Sequence, residues 1–255
     1  MSRKPAVAGT FYPANQVELK KSVDSFLAQN KKTIPEGKML KALIVPHAGY
    51  VYSGAVAAAG FSLLEGKEYS NILLLGPTHY VAFNGAAIAT EDFETPLGLI
   101  KVGKTKKWID DRLIKDLKLT HLNEHCLEVQ LPFLQQVLKE FKLYALLLGE
   151  IKAEELAEKI VKYLDDDTLI IVSSDLSHYL SYDAAIKKDQ ATINHILNFN
   201  FFGEIEACGN KPIRVLMHLA KKLGWQPFLI DYKNSGDTAG DKNKVVGYAA
   251  IGYTK

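Results

Sequence analysis

Four short runs along the chain, near residues 40–46, 71–75, 143–148 and 168–172, are rich in Leu, Ile and Val at every position rather than at every second one. Alternation marks a strand with one wet face, whereas a continuous apolar run of this length marks a strand covered on both faces. Between these runs the apolar positions recur at a helical spacing. That spacing predicts helices over 16–29, 54–65, 105–117, 127–141, 153–164, 183–198 and 211–223. Strands that alternate with helices in this way belong to βαβ units and a mostly parallel core. The C-terminal stretch PFLIDYKNSGDTAGDKNKVVGYAAIGY reads instead as two strands joined by a Gly/Asp/Asn-rich connection, which makes the sheet mixed. The expected fold class is α/β, a central mostly parallel sheet flanked by helices. KKTIPEGK at 31–38 is the most loop-like break and is too short for a linker, so residues 1–255 are read as one domain.

Composition narrows the functional classes. With 47% apolar residues in 255, the chain can bury a sizeable core. Its formal charge of +2 is near neutral. The lysine clusters (Lys20–Lys21, Lys31–Lys32, Lys104 with Lys106 and Lys107, Lys221–Lys222) fall at element ends without interleaved aromatics, which argues against nucleic acid as a partner. Only two cysteines occur, Cys126 and Cys208, too few for a disulfide framework. No secretory leader is evident, and no apolar run approaches the ~20 residues that cross a bilayer. A soluble, cytoplasmic protein without membrane association is expected.

Three of the apolar runs end in a histidine: KALIVPHAGY at His47, NILLLGPTHY at His79, and TLIIVSSDLSHY at Asp175 and His178. In an open α/β sheet the ligand crevice lies beyond the carboxyl ends of parallel strands, so these groups are expected to converge. His47 is followed by a small-residue helix that Ser53 is placed to cap. Two neutral imidazoles at neighbouring strand ends make half of a transition-metal site, which normally adds an anionic ligand. Asp175, the carboxylates of NEHCLE and Cys208 are the candidates. Cys208 precedes the helix that starts near Lys211, with Arg214 close by; a helix N-terminus and neighbouring cations would lower its thiol pKa. Asp175, three residues from His178, is placed to orient that imidazole as a general acid/base. His121, Glu124, His125, Cys126 and Glu128 in HLNEHCLEVQLP match no zinc spacing, so they are expected to support a ligand or face a substrate rather than bind an ion. Phe11, Tyr12, Tyr50 and Tyr52 are candidates to line a pocket.

Taken together, AGTFYP (8–13), PHAGYVYSG (46–54), GPTHY (76–80), NEHCLEVQLPFL (123–134), SSDLSHY (173–179), CGNKPI (208–213) and the terminal SGDTAGD and VVGYAA resemble, in order, the Memo family, the AmmeMemoRadiSam system protein B group. That family is similar in fold to class III extradiol ring-cleaving dioxygenases. The resemblance implies a metal pocket whose ligands are His47, His79 and Cys208, with Asp175 and His178 beside it. Where the dioxygenases carry a carboxylate ligand this chain has Cys208. Cys126 stands where the family more usually has serine. The resemblance further implies iron(II) or copper as cofactor, and a radical SAM protein and an AMMECR1-like protein as associates; the softness of a thiolate ligand keeps zinc as a third candidate.

Three functions follow as expectations. The first is a dioxygenase-like redox metalloenzyme with His178 as acid/base. The second is a module that binds metal, a small molecule or a peptide without turnover. The third is metal-free chemistry with Cys208 as nucleophile and His178 as base.

Overall fold

The computed structural model describes residues 2–110 and 112–255. In chain order it contains β1 (Ser2–Arg3), α1 (Gln16–Gln29), β2 (Leu40–Val45), α2 (Tyr50–Phe61), β3 (Asn71–Pro77), β4 (Ala86–Ile88), β5 (Asp92–Thr95), β6 (Gly98–Ile100) and β7 (Ile114–Lys115). There follow α3 (Lys118–His121), α4 (Leu131–Val137), β8 (Lys142–Leu148), α5 (Ala153–Ile160), β9 (Thr168–Ser173), β10 (His178–Leu180), α6 (Tyr182–Leu197), α7 (Asn210–Leu223), β11 (Gln226–Asn234), α8 (Ser235–Thr238) and β12 (Val245–Thr254).

The strands β2, β9, β3 and β8 lie side by side and parallel. Antiparallel β12 flanks them beyond β2, and antiparallel β4 beyond β8. This is the single α/β domain with a mixed sheet that the hydrophobic pattern predicts. Successive side chains of a strand point to opposite faces, and the two faces feed separate cores. Leu43, Val45, Ile72, Leu74, Leu169 and Ile171 pack on one side, together with residues of α1, α2 and α4. Ala42, Ile44, Leu73, Leu75, Ile170 and Val172 pack on the other, with α5, α6 and α7. Each fully buried Leu, Ile or Val contributes about 1.5–3 kcal/mol, so the double covering is the main source of stability.

Register places the site. Val45 pairs with Ser173 and Leu75 with Val172, so β2, β9 and β3 end at one level. Whatever follows them emerges along one edge. α7 approaches that edge from the second face, where the Gly209 N–H donates to Ser174 Oγ at 2.9 Å.

Two expectations need correction. The described residues of 105–117 do not form the expected helix: a single 3₁₀ turn at Thr105–Lys107 is followed, after a turn, by β7. The Asp110 carboxylate accepts from the backbone N–H groups of Arg112, Leu113 and Ile114, and a side chain so placed offers the backbone an alternative to the helix. Nor does Ser53 cap α2. The helix begins earlier, at Tyr50, with Gly49 in the cap position, and Ser53 Oγ donates back to Ala48 O at 2.9 Å. The hydrophobic pattern also leaves out β4, β5 and β6; β5 pairs with β1 and β6 in a small separate sheet. Among the described residues no helix is long and apolar enough to cross a membrane.

Candidate metal centre

His47 sits two residues beyond the end of β2, with Pro46 between, and is almost fully buried. Its backbone N–H donates to Asp175 Oδ1 at 2.8 Å, and the Ala48 N–H reaches the same oxygen at 3.3 Å. Its ring Nδ1 lies 2.9 Å from Ser173 Oγ. That hydroxyl has one proton, which goes to Cys126 O at 2.6 Å, and it also accepts from Gln130 Nε2 at 2.8 Å. Ser173 must therefore accept from His47, so the imidazole proton is on Nδ1 and Nε2 carries the lone pair.

His79 is fixed in the same sense by a different group. Glu124, fully buried, accepts the His79 backbone N–H on Oε2 at 2.7 Å and His79 Nδ1 on Oε1 at 2.9 Å. Burial alone would raise the pKa of this carboxyl. The hydrogen bonds and charge of His79, with the Cys126 backbone N–H, outweigh burial and hold it at about 2. An ionised carboxylate only accepts, so His79 also keeps its proton on Nδ1 and presents Nε2. Such outer partners set the tautomer and ring direction of metal-binding histidines.

Cys208 arrives from the other face, on the loop before α7. Its Sγ is 3.2 Å from His47 Nε2 and accepts the Asp175 N–H at 3.3 Å. The expectation of a lowered thiol pKa is overturned. Burial, and then the Asp175 carboxylate, push the Cys208 thiol up to about 12. The cations that were to lower it are engaged elsewhere: Lys211 with Glu150, and Arg214 with the carbonyls of Phe201 and Gly203. A free thiolate nucleophile has no support here, and the thiolate form calls for a cation at Sγ.

Asp175 is also placed differently from the expectation that it orients His178. Its Oδ1 is spent on the two backbone N–H groups after β2, and its Oδ2 lies 3.9 Å from His47 Nε2. No Asp175–His178 hydrogen bond occurs among the described residues. Burial raises the Asp175 pKa, opposed first by the His47 N–H and then by the nearby charge of His178. His178 opens β10, half-buried, and Tyr179 after it has φ 59°, a left-handed conformation that is costly for a tyrosine. Cys208 borders two hollows. One, of about 380 Å³, is lined by His79, Tyr80, Phe83 and Lys211, and the other, of about 520 Å³, by His178, Glu206 and Arg214.

The residue most undervalued by sequence is His125. Its ring centroid lies 4.6 Å from that of His79 and 5.4 Å from that of His47, and the three residues offer ligand nitrogens all within 4.8 Å of one another. His79, Glu124 and Cys126 form an overlapping group of the same tightness. Burial, then the neighbouring His47, hold the His125 pKa down to about 4, and burial, then His79, hold His47 at about 3. A readable signal existed: the polar Glu128 and Gln130 interrupt the core run Cys126–Leu134, Glu124 stands just before it, and all three are fully buried. Of the four candidate pocket aromatics, Tyr12 and Tyr50 are core, Tyr52 is exposed, and Phe11 packs on His125 with centroids 4.9 Å apart.

Imidazole nitrogens with committed Nδ1 protons, joined by one thiol, fit a first-row transition ion and do not suit magnesium or calcium. The family described as "Memo-like protein" matches residues 3–252. The chain belongs to this family. The Memo-like chain is 37% identical over 290 aligned residues to a "MEMO1 family protein" of Sulfolobus acidocaldarius, covering 99% of each. It is 37% identical over 267 residues to the counterpart in Aquifex aeolicus, covering 98% of each, and 34% identical over 284 residues to that of Metallosphaera sedula, covering 100% of each. Among solved structures, "uncharacterized protein JW3007 from Escherichia coli K12" superposes with a TM-score of 0.52 at 11% identity, over 84% of this Memo-like chain and 99% of the other. That likeness shows the fold alone.

Proposed function

We propose that the chain is a redox metalloprotein in which His47, His79 and Cys208 hold iron(II) or copper, with His178 moving protons beside them. The observation that carries the reading is the 3.2 Å approach of Cys208 Sγ to His47 Nε2. Two bonds of about 2.3 Å to sulfur and 2.0 Å to nitrogen span at most roughly 4.3 Å, so one ion reaches both atoms. Two neutral imidazoles and a thiolate leave a divalent ion with one residual positive charge, suited to an anionic oxygen species or an ionised substrate. When bound, such an ion supplies Lewis acidity and one-electron chemistry.

The protein's own share of the work is positional. Ser173 and Glu124 hold the two rings with Nε2 outward. Asp175 ties the turn after β2 to the turn after β9. His178, half-buried at the edge of its own hollow, stays accessible to solvent and exchanges protons there. A second reading, a metal-holding module without turnover, draws support from His125, whose extra imidazole would fill a position that substrate otherwise needs.

The test is metal content by mass spectrometry on anaerobically purified protein, for the native chain and for His47→Ala and His79→Ala. About one iron or copper per native chain, lost in both variants, is the expected outcome, because each removes a donor shared by every arrangement of the site. A native chain that takes up neither metal under reducing, supplemented conditions sinks the proposal. Consumption of O₂ by the iron-loaded chain would then separate the redox reading from the module.

A further inference from the structure

Two histidines lie in the segment after β7, His121 buried and His125 partly buried, and they behave differently. His121 is an ordinary core residue: its Nε2 lies 3.1 Å from Ala87 O, and its ring meets Phe93 edge-on. His125 has no comparable partner. Its Nδ1 is 3.3 Å from Glu124 Oε1 and 3.4 Å from Tyr80 Oη, both long contacts, which leaves Nε2 as the nitrogen for something else.

The three imidazoles make a nearly equal-sided triangle. Centroid separations are 4.6 Å for His79–His125, 5.2 Å for His47–His79 and 5.4 Å for His47–His125. By this measure His125 is as much a neighbour of each ring as the two are of one another. Two nitrogen–metal bonds of about 2.0–2.1 Å at a tetrahedral angle place their nitrogens roughly 3.4 Å apart. Ligand atoms now within 4.8 Å close to that spacing by movements on the order of an ångström. Its backbone is already anchored for the purpose, because the His125 N–H donates at 2.9 Å to the same Glu124 oxygen that holds His79.

Resting on the metal reading above, we infer that His125 is a donor to the ion held by His47 and His79, an alternative to Cys208 as the third ligand. The two donors come from separate parts of the chain, Cys208 from the loop before α7 and His125 from the loop before α4. The site thus has two ligand sets that share a pair of imidazoles. The thiolate set is the softer and favours reduced copper or iron; the three-nitrogen set favours copper(II), zinc or iron(II). A chain whose thiol is blocked would keep its ion.

The experiment loads the full-length native chain, Cys208→Ser, and Cys208→Ser combined with His125→Phe. Phe keeps the ring packing on Phe11, and His125→Gln serves if Phe disturbs folding. Cobalt(II) reports the sulfur: a thiolate charge-transfer band is expected in the native chain and none in Cys208→Ser. Copper(II) reports the nitrogens by electron paramagnetic resonance. Couplings to three imidazole nitrogens are expected in Cys208→Ser and to two in the double variant, with affinity falling about a hundredfold between them. Equal nitrogen couplings and affinity with and without His125 would overturn the inference. So would a Cys208→Ser chain that binds no copper while the native chain binds cobalt. A native chain that takes up no metal overturns the metal reading itself and this inference with it, so the native arm tells the two failures apart.

Discussion

Replacing Ser173 by alanine removes the acceptor that keeps the proton of His47 on Nδ1 and takes one partner from the Gln130 amide. The ring is then free to place its proton on Nε2, the atom facing Cys208. Partners of this kind are worth 10- to 100-fold in metal affinity. Ser173→Ala is therefore expected to bind metal on the order of tenfold more weakly or worse, and to lose about 1–3 kcal/mol of stability from the buried donors left unpaired. Competition against a chromophoric chelator measures the first effect and urea unfolding the second. Ser173→Thr, which keeps the hydroxyl, should restore affinity, and an alanine variant with native affinity would remove Ser173 from the site. None of this was legible in SSDLSHY, where Ser173 reads only as one polar residue among several. His47, His79 and Cys208 stood out because each lies beside an element boundary that the hydrophobic pattern marks, the histidines just after a strand and the cysteine just before a helix. His125 and Glu124 did not, because their partners lie some forty-five residues or more away and spacing rules register only near neighbours.

At the scale of elements, the site depends on how closely α7 meets the end of β9. A Cβ on Gly209 would stand 2.5 Å from Ser174 Cβ and 3.0 Å from Ser173 O, so helix and strand approach as closely as they do only because that position is glycine. Gly209→Ala is expected to push the start of α7 outward and carry the neighbouring Cys208 Sγ away from His47. Overpacking of this kind costs about 1–3 kcal/mol. The distinguishing readout is the cobalt–thiolate band, which should weaken in Gly209→Ala even at a temperature where the fold is intact. An unchanged band would mean that the Cys208 loop adjusts independently of the helix. The elements that meet here, β2, β3, β9 and α7, were all legible, since continuous apolar runs and a strong helical period survive whatever surrounds them. The region between β3 and α4 was not. Its strands are two to four residues long, and in 105–117 a helix-like spacing loses to the Asp110 carboxylate, which gathers three backbone N–H groups into a turn.

For the whole molecule, two buried imidazoles, His47 and His121, and the partly buried His125 make stability depend on pH. The native pKa of His47 is about 3, and those of His121 and His125 are about 4, each lowered first by burial from an ordinary 6.5. Below pH 6.5 the unfolded chain takes up protons that the folded chain refuses, so stability falls as pH falls. Above it both states leave these rings neutral and the contribution is flat. Each imidazole adds a slope of about 1.4 kcal/mol per pH unit inside its window, which for His47 runs from 6.5 down to about 3. Glu124 extends the loss in the same direction, between its ordinary 4.5 and about 2, because its ionised form is the one the fold holds. Chelator-treated protein should show a urea midpoint that is level just above pH 6.5 and drops steadily from about pH 6.5 toward 4. His121 lies outside the metal site, so His47→Gln and His125→Gln should each remove part of the slope and leave the part due to His121. A midpoint that stays level down to about pH 4.5 would mean that the rings of His47, His121 and His125 are solvated in the folded chain. The same linkage makes metal uptake acid-sensitive by a second route. Protons compete for the donor atoms directly, and the thiol must also give up its own, so affinity should fall with pH more steeply in the native chain than in Cys208→Ser.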